Sequence, residues 1–143
     1  MPLLNYTTKI EATKTAGEIQ GILASHGARA IQMEYDGAGT ITALAFIVDS
    51  PHGDIVFRLP IDPDAVYRVM LRQSIPRRFM DNKQAVRVAW RIIKDWVQAQ
   101  MALLETEQVR LEQIFLPYAI MQSGKTLYEA MIDTKFQLPE GKE

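Results

Sequence analysis

The spacing of apolar residues changes period near the middle of the chain. Arg29, Ile31, Met33 and Tyr35 alternate with Ala30, Gln32 and Glu34, the period-2 pattern of a half-buried strand. Thr40 to Asp49 is a β-branched and apolar run, apolar on both faces around Leu44–Val48, which predicts the central strand of a small sheet. Asp54 to Leu59 repeats the alternation, with Ile55, Phe57 and Leu59 on one face. Asp36-Gly37-Ala38-Gly39 and Ser50-Pro51-His52-Gly53 supply the residues that tight turns require, so three strands in an antiparallel meander are expected. Ahead of them, Thr15 and Glu18 have the spacing of a capping box, Ile19, Ile22 and Leu23 recur at helical intervals, and Gly27 is suited to end the helix. That predicts a helix from about 15 to 26.

After Pro60 the period becomes helical. Asp62 as N-cap and Pro63 in the first turn start a helix to about Gln73, which Pro76 separates from the next. Asp81, with Gln84 three residues on, opens the longest helix, from about 82 to 105. Thr106 and Glu107 are read as restarting a helix that kinks at Pro117 and stops at Ser123-Gly124. Thr126 and Glu129 form a further capping box before a short helix to about Ile132. The reading is one α+β domain over 1–137: an N-terminal helix, a three-stranded antiparallel sheet, then a bundle of about four helices. The sheet half spans about 1–60 and the helical half about 61–132, and the tail 138–143 is expected to fray.

Composition narrows the class. With 143 residues, 48% hydrophobic and 23% charged, the chain matches an ordinary single globular domain. It has no cysteine, which excludes disulfides, thiol catalysis and zinc ribbons. No apolar run approaches the roughly 18–20 residues of a membrane helix, and no secretory leader is evident, so a cytoplasmic protein with no membrane association is expected.

Candidate chemistry is sparse. Gly124-Lys125-Thr126 ends like a phosphate-binding loop, but Ala119 stands where the motif needs its first glycine, and the preceding residues read as helix. His26 sits at a helix C-terminus, where an imidazolium suits the dipole. Asp49, His52 and Asp54 bracket a turn and form the one arrangement able to hold a divalent cation, against the commoner reading of polar turn residues. Asp133-Thr134-Lys135 has nuclease-like spacing without an upstream acidic partner. Nothing commits the chain to catalysis, a metal or a cofactor.

Charge changes the picture. Residues 1–67 and 95–143 each hold four Lys/Arg and eight Asp/Glu, whereas 68–94 hold eight cations and the single acid Asp81, within a net charge of −1. The cations are Arg68, Arg72, Arg77, Arg78, Lys83, Arg87, Arg91 and Lys94. On the long helix, Lys83, Arg87, Arg91, Lys94 and Gln98 share a stripe about 80° wide, opposite an apolar face centred on Val88, Ala89, Ile92 and Trp96. Trp90 falls at the border of the two sectors, and Tyr67 and Phe79 interleave with the cations. Arginines that bind phosphate bidentately, beside aromatics able to stack on bases, point to contact with single-stranded DNA or RNA. The expected contact set is Arg68, Arg72, Arg77, Arg78, Lys83, Arg87, Arg91 and Lys94, with Trp90 or Phe79 stacking. Two other readings fit the same charges: docking on an acidic protein partner, or a solvated face paired with acids such as Glu105, Glu107 and Glu112 within the domain or across a homodimer.

The stretch Gln84–Gln100, followed by Ile114-Phe115-Leu116-Pro117-Tyr118 and Lys125-Thr126-Leu127-Tyr128-Glu129, resembles small proteins encoded in bacteriophage and prophage genomes, over roughly 60–132. The resemblance carries no catalytic or binding residues with it. It implies a binding role, either on nucleic acid or against a host defence protein.

Overall fold

A computed structural model of the chain describes residues 2–137, so the tail from Leu138 lies outside the described residues. Its elements run α1 (Ala12–Ser25), β1 (Ala28–Tyr35), β2 (Ile41–Ser50), β3 (Gly53–Arg58), α2 (Pro63–Arg72), α3 (Asn82–Glu105), α4 (Leu111–Phe115) and α5 (Leu127–Asp133). Single 3-10 turns at Arg77–Phe79 and Leu116–Tyr118 complete the list. The three strands form an antiparallel sheet in the order β1-β2-β3, as the period-2 pattern predicts.

Local signals set most boundaries. Asp62 Oδ1 accepts the Ala65 amide at 3.1 Å, and Asp81 Oδ1 accepts the Gln84 amide at 2.7 Å. Thr126 and Glu129 make the reciprocal capping-box bonds, at 3.2 and 2.9 Å. Gly27 turns out of α1 at φ 112, where a Cβ would be strained.

Two boundaries differ from expectation. Helix α1 starts at Ala12 with Glu11 as N-cap, so Thr15 and Glu18 lie inside it, and Thr15 is fully buried. Their i, i+3 spacing serves the packed face of the helix rather than its end. Thr106 closes α3, and the chain turns through Glu107 at φ 61 before the short α4. No continuous helix then crosses Pro117. Instead the chain leaves the 3-10 turn extended: Ala119 bridges Phe57, and the Ile120 amide donates to the Val56 carbonyl at 2.8 Å. That segment covers part of the β3 edge.

Helix α3 organises the core. The main cluster joins α1 (Ile19, Leu23), the inner face of β2 (Leu44, Phe46, Val48), Phe57, Trp90, Val97 and Phe115. Phe46 and Phe115 meet edge to face at 5.1 Å, and Trp96 closes on Phe115 at 5.5 Å. A second cluster packs Met70 and Ile75 against Ala85 and Val88, roofed by Leu3 and Tyr6 from the N-terminal segment. Gln84 ties that segment down: its buried side-chain amide donates to the Tyr6 and Thr8 carbonyls at 2.8 and 2.9 Å. The apolar face of α3 thus packs against its own chain in both clusters.

Candidate nucleic-acid interface

The eight cations of 68–94 separate into two groups once folded. On α2, Met70 is buried with Val66 and Tyr67 beside it. Arg68 and Arg72, four residues apart, therefore occupy the opposite, exposed side. The chain then passes Ser74 at φ 53 and Pro76 into the Arg77–Phe79 turn, where Arg77 and Arg78 are exposed. The Arg78 guanidinium lies 4.9 Å from the centre of the Phe79 ring, and the Tyr6 ring meets Phe79 edge-on at 5.5 Å. Lys83 is exposed in the first turn of α3. Among the described residues, none of Arg68, Arg72, Arg77, Arg78 and Lys83 forms an ion pair.

The rest of the stripe is occupied internally. Arg91 donates to Glu18 at 2.6 Å and to the Thr15 hydroxyl at 3.3 Å, and its side chain is only 16% exposed. Arg87 pairs with Glu11 at 3.1 Å. These contacts, together with His26 to Glu105 at 2.8 Å, run in the same order on both helices, so α1 lies parallel to α3 along the basic stripe. The expectation that Arg87 and Arg91 are open to nucleic acid is corrected: α1 covers them, because it carries acids spaced to meet them. The acids that pair are Glu11 and Glu18, in place of the expected Glu105, Glu107 and Glu112. Lys94 bonds Gln98 at 2.7 Å and is half-buried.

Trp90 is fully buried, with no face open for stacking, and its indole N–H has no partner among the described residues. Phe79, half-buried under Arg78, remains the one aromatic of the pair near the free cations. A guanidinium held over a ring presents its other face as a planar, cationic platform.

The remaining motifs resolve into structure. Arg29 bonds Asp49 at 2.9 Å and also Asp54, so the two carboxylates of the proposed cation turn are matched by a guanidinium. No cluster of metal-ligating side chains occurs among the described residues. Lys125 is committed to Asp133 at 2.5 Å, and Gly124, at φ 87, sits in the turn before the Thr126 cap. His26 donates toward the Ile22 carbonyl at 2.7 Å as well as Glu105, a fixed bridge between two helices instead of a dipole contact alone. Within the described residues no helix is long and apolar enough to cross a membrane. Comparison with protein families, curated proteins and solved structures finds no match to this chain.

Proposed function

We propose that this chain is a non-enzymatic nucleic-acid-binding accessory protein that grips the backbone of single-stranded DNA or RNA through Arg68, Arg72, Arg77, Arg78 and Lys83. The observation that carries the reading is the set of exposed arginines left without acidic partners among the described residues, in a fold that pairs Arg87 and Arg91 internally. Unpaired guanidiniums bind phosphate bidentately, and Arg78 over Phe79 offers a base a stacking surface. Arg87, Arg91, Lys94 and Trp90 leave the contact set.

Fluorescence anisotropy of a labelled single-stranded oligonucleotide tests this. Five phosphate contacts correspond to a slope of log affinity on log salt near −3.5 at most, about −0.7 per contact. The paired change Arg77→Glu/Arg78→Glu should weaken binding at least tenfold and flatten that slope, with thermal stability unchanged. Absence of saturable binding at low salt overturns the proposal.

One observation favours a second reading. Leu71 is 61% exposed among the arginines, an apolar anchor of the kind protein interfaces use. On that reading the same face docks on an acidic host protein, as a phage anti-defence protein would, and oligonucleotide alone fails to bind.

A further inference from the structure

β2 is apolar on both faces, but only one of them enters the core. Leu44, Phe46 and Val48 are buried in the main cluster, whereas Ala43, Ala45 and Ile47 point to the other side and belong to neither cluster. The solvent face of an antiparallel sheet is normally polar, so three apolar residues in succession there mark it as a face to be covered. The register extends them into a row across the sheet: Ala30 opposes Ile47, Ile47 opposes Val56, and the Ile120 amide bonds the Val56 carbonyl. Val56 is 36% exposed. Charges bracket the row in opposite order at its two sides. Asp54 stands two residues before Val56 and Arg58 two residues after it, all on one face of β3. On the Asp54 side β1 supplies the cation, Arg29, which reaches Asp49 and Asp54; on the Arg58 side β1 supplies the anion, Glu34, 3.6 Å from Arg58. These five side chains are 47–68% exposed, and their bonding capacity is not used up. Arg29 spends two of its five N–H donors, and Glu34 and Arg58 make no side-chain hydrogen bond among the described residues.

We propose that this outer sheet face is a two-fold interface with a second copy of the chain. A half-turn about the Ala30–Ile47–Val56–Ile120 row lays β3 antiparallel across β3 of the second copy. Val56 then meets Val56, and Asp54 of each copy meets Arg58 of the other. The same rotation brings Arg29 over the second copy's Glu34. Asp49 alone gains no new partner, and it keeps its bond to Arg29. Stacked sheets cross at about 30°, so the residues nearest the axis, Ile47 and Val56, match best. The charge order commits the face to a copy of itself, because only an identical surface carries the reversed order after a half-turn. The unpaired β1 edge is a poorer seat, since register shifts at Ala28/Ala30 and Glu34/Tyr35 interrupt it at both ends. α2 packs on α3, which lies on the inner face of the sheet, so Arg68, Arg72, Arg77 and Arg78 stay open in both copies. The interface stands without the nucleic-acid reading.

Sedimentation velocity from about 10 μM to about 1 mM tests this, spanning the range in which a small interface associates. A reversible shift from monomer to dimer is expected. Arg58→Glu sets a carboxylate against Asp54 twice across the axis, and Asp54→Lys sets an ammonium against Arg58 twice. Each variant alone should therefore sediment as a monomer throughout the range. Mixed in equal amounts the two should dimerise, because each reversed charge then meets its opposite on the other chain. A change that acted only on folding of the single chain would give no such rescue. Val56→Lys, on the axis and partly exposed, should weaken association at least tenfold with an unchanged circular dichroism spectrum, and it decides the matter if either charge variant fails to fold. Monomer at every concentration, or undiminished self-association of the Val56→Lys protein, overturns the proposal; the latter result would move the contact to the β1 edge or another face. Folded Arg58→Glu and Asp54→Lys proteins that do not pair when mixed overturn it as well.

Discussion

His26 shows how much one side chain can depend on its proton. Its Nδ1 faces the Ile22 carbonyl at 2.7 Å and its Nε2 faces Glu105 at 2.8 Å, and both partners are acceptors. Only the imidazolium carries a hydrogen on each nitrogen, so only the charged ring satisfies both. The Glu105 hydrogen bond, then the Ile22 carbonyl, raises the His26 pKa above its ordinary value of 6.5. A group raised on folding stabilises fully below its unfolded pKa and loses that contribution as pH rises through the folded value. Melting temperatures should therefore fall from pH 6 to pH 8.5, and His26→Gln should lower the pH 6 value and remove most of the slope. An unchanged slope in that variant would assign the dependence to another group. Trp90 is the opposite case, a polar atom buried without a partner among the described residues. The ring is retained for the space it fills between α1, the sheet and α3, at the cost of one unsatisfied donor.

At the scale of elements, the seam between α1 and α3 is the feature with the largest consequence. Thr15, Glu18 and Arg91 form a small network at a part-buried position. Arg91→Glu places two carboxylates together there and should destabilise by about 1–3 kcal/mol, below the 3–5 kcal/mol of a fully buried pair because Glu18 keeps some solvent. Glu18→Arg/Arg91→Glu should recover most of the loss in urea denaturation. If the double variant is no better than the single, the pair is incidental to the seam. The same elements show what is legible in a linear chain. The caps at Asp62, Asp81 and Thr126 are readable because donor and acceptor lie three residues apart. Thr15 and Glu18 have that spacing too, yet their partner is Arg91, which no local pattern names. Thr106 likewise satisfies the rule for a helix start while ending one, because its hydroxyl bonds back to the Leu103 carbonyl at 2.8 Å.

Across the whole molecule, order is unevenly supported. β2 and α3 are central to the core, whereas α5 contributes no buried residue and leaves Tyr128 and Ile132 exposed. Its tie to the sheet is short: the bonds of Ala119 and Ile120 at the β3 edge, and the Leu127 amide to the Ala119 carbonyl at 2.8 Å. Hydrogen exchange should therefore be fastest over 121–137 and slowest in β2 and the middle of α3, since few buried contacts hold the former. Uniform protection across both regions would contradict this.

Local patterns along the chain suffice for the class of fold, the order of its elements and the concentration of cations in 68–94. Each of these rests on alternation, capping or charge within a few residues. Long-range packing selects which cations are free. Glu11 meets Arg87 across 76 residues and Glu18 meets Arg91 across 73, so the pairing depends on α1 packing parallel to α3. It also decided that Trp90 is core, and that two helix starts and a turn, distant in the chain, share one cleft. Burial of apolar surface brings such segments together, and it acts on the whole collapsed chain, beyond the reach of any local signal.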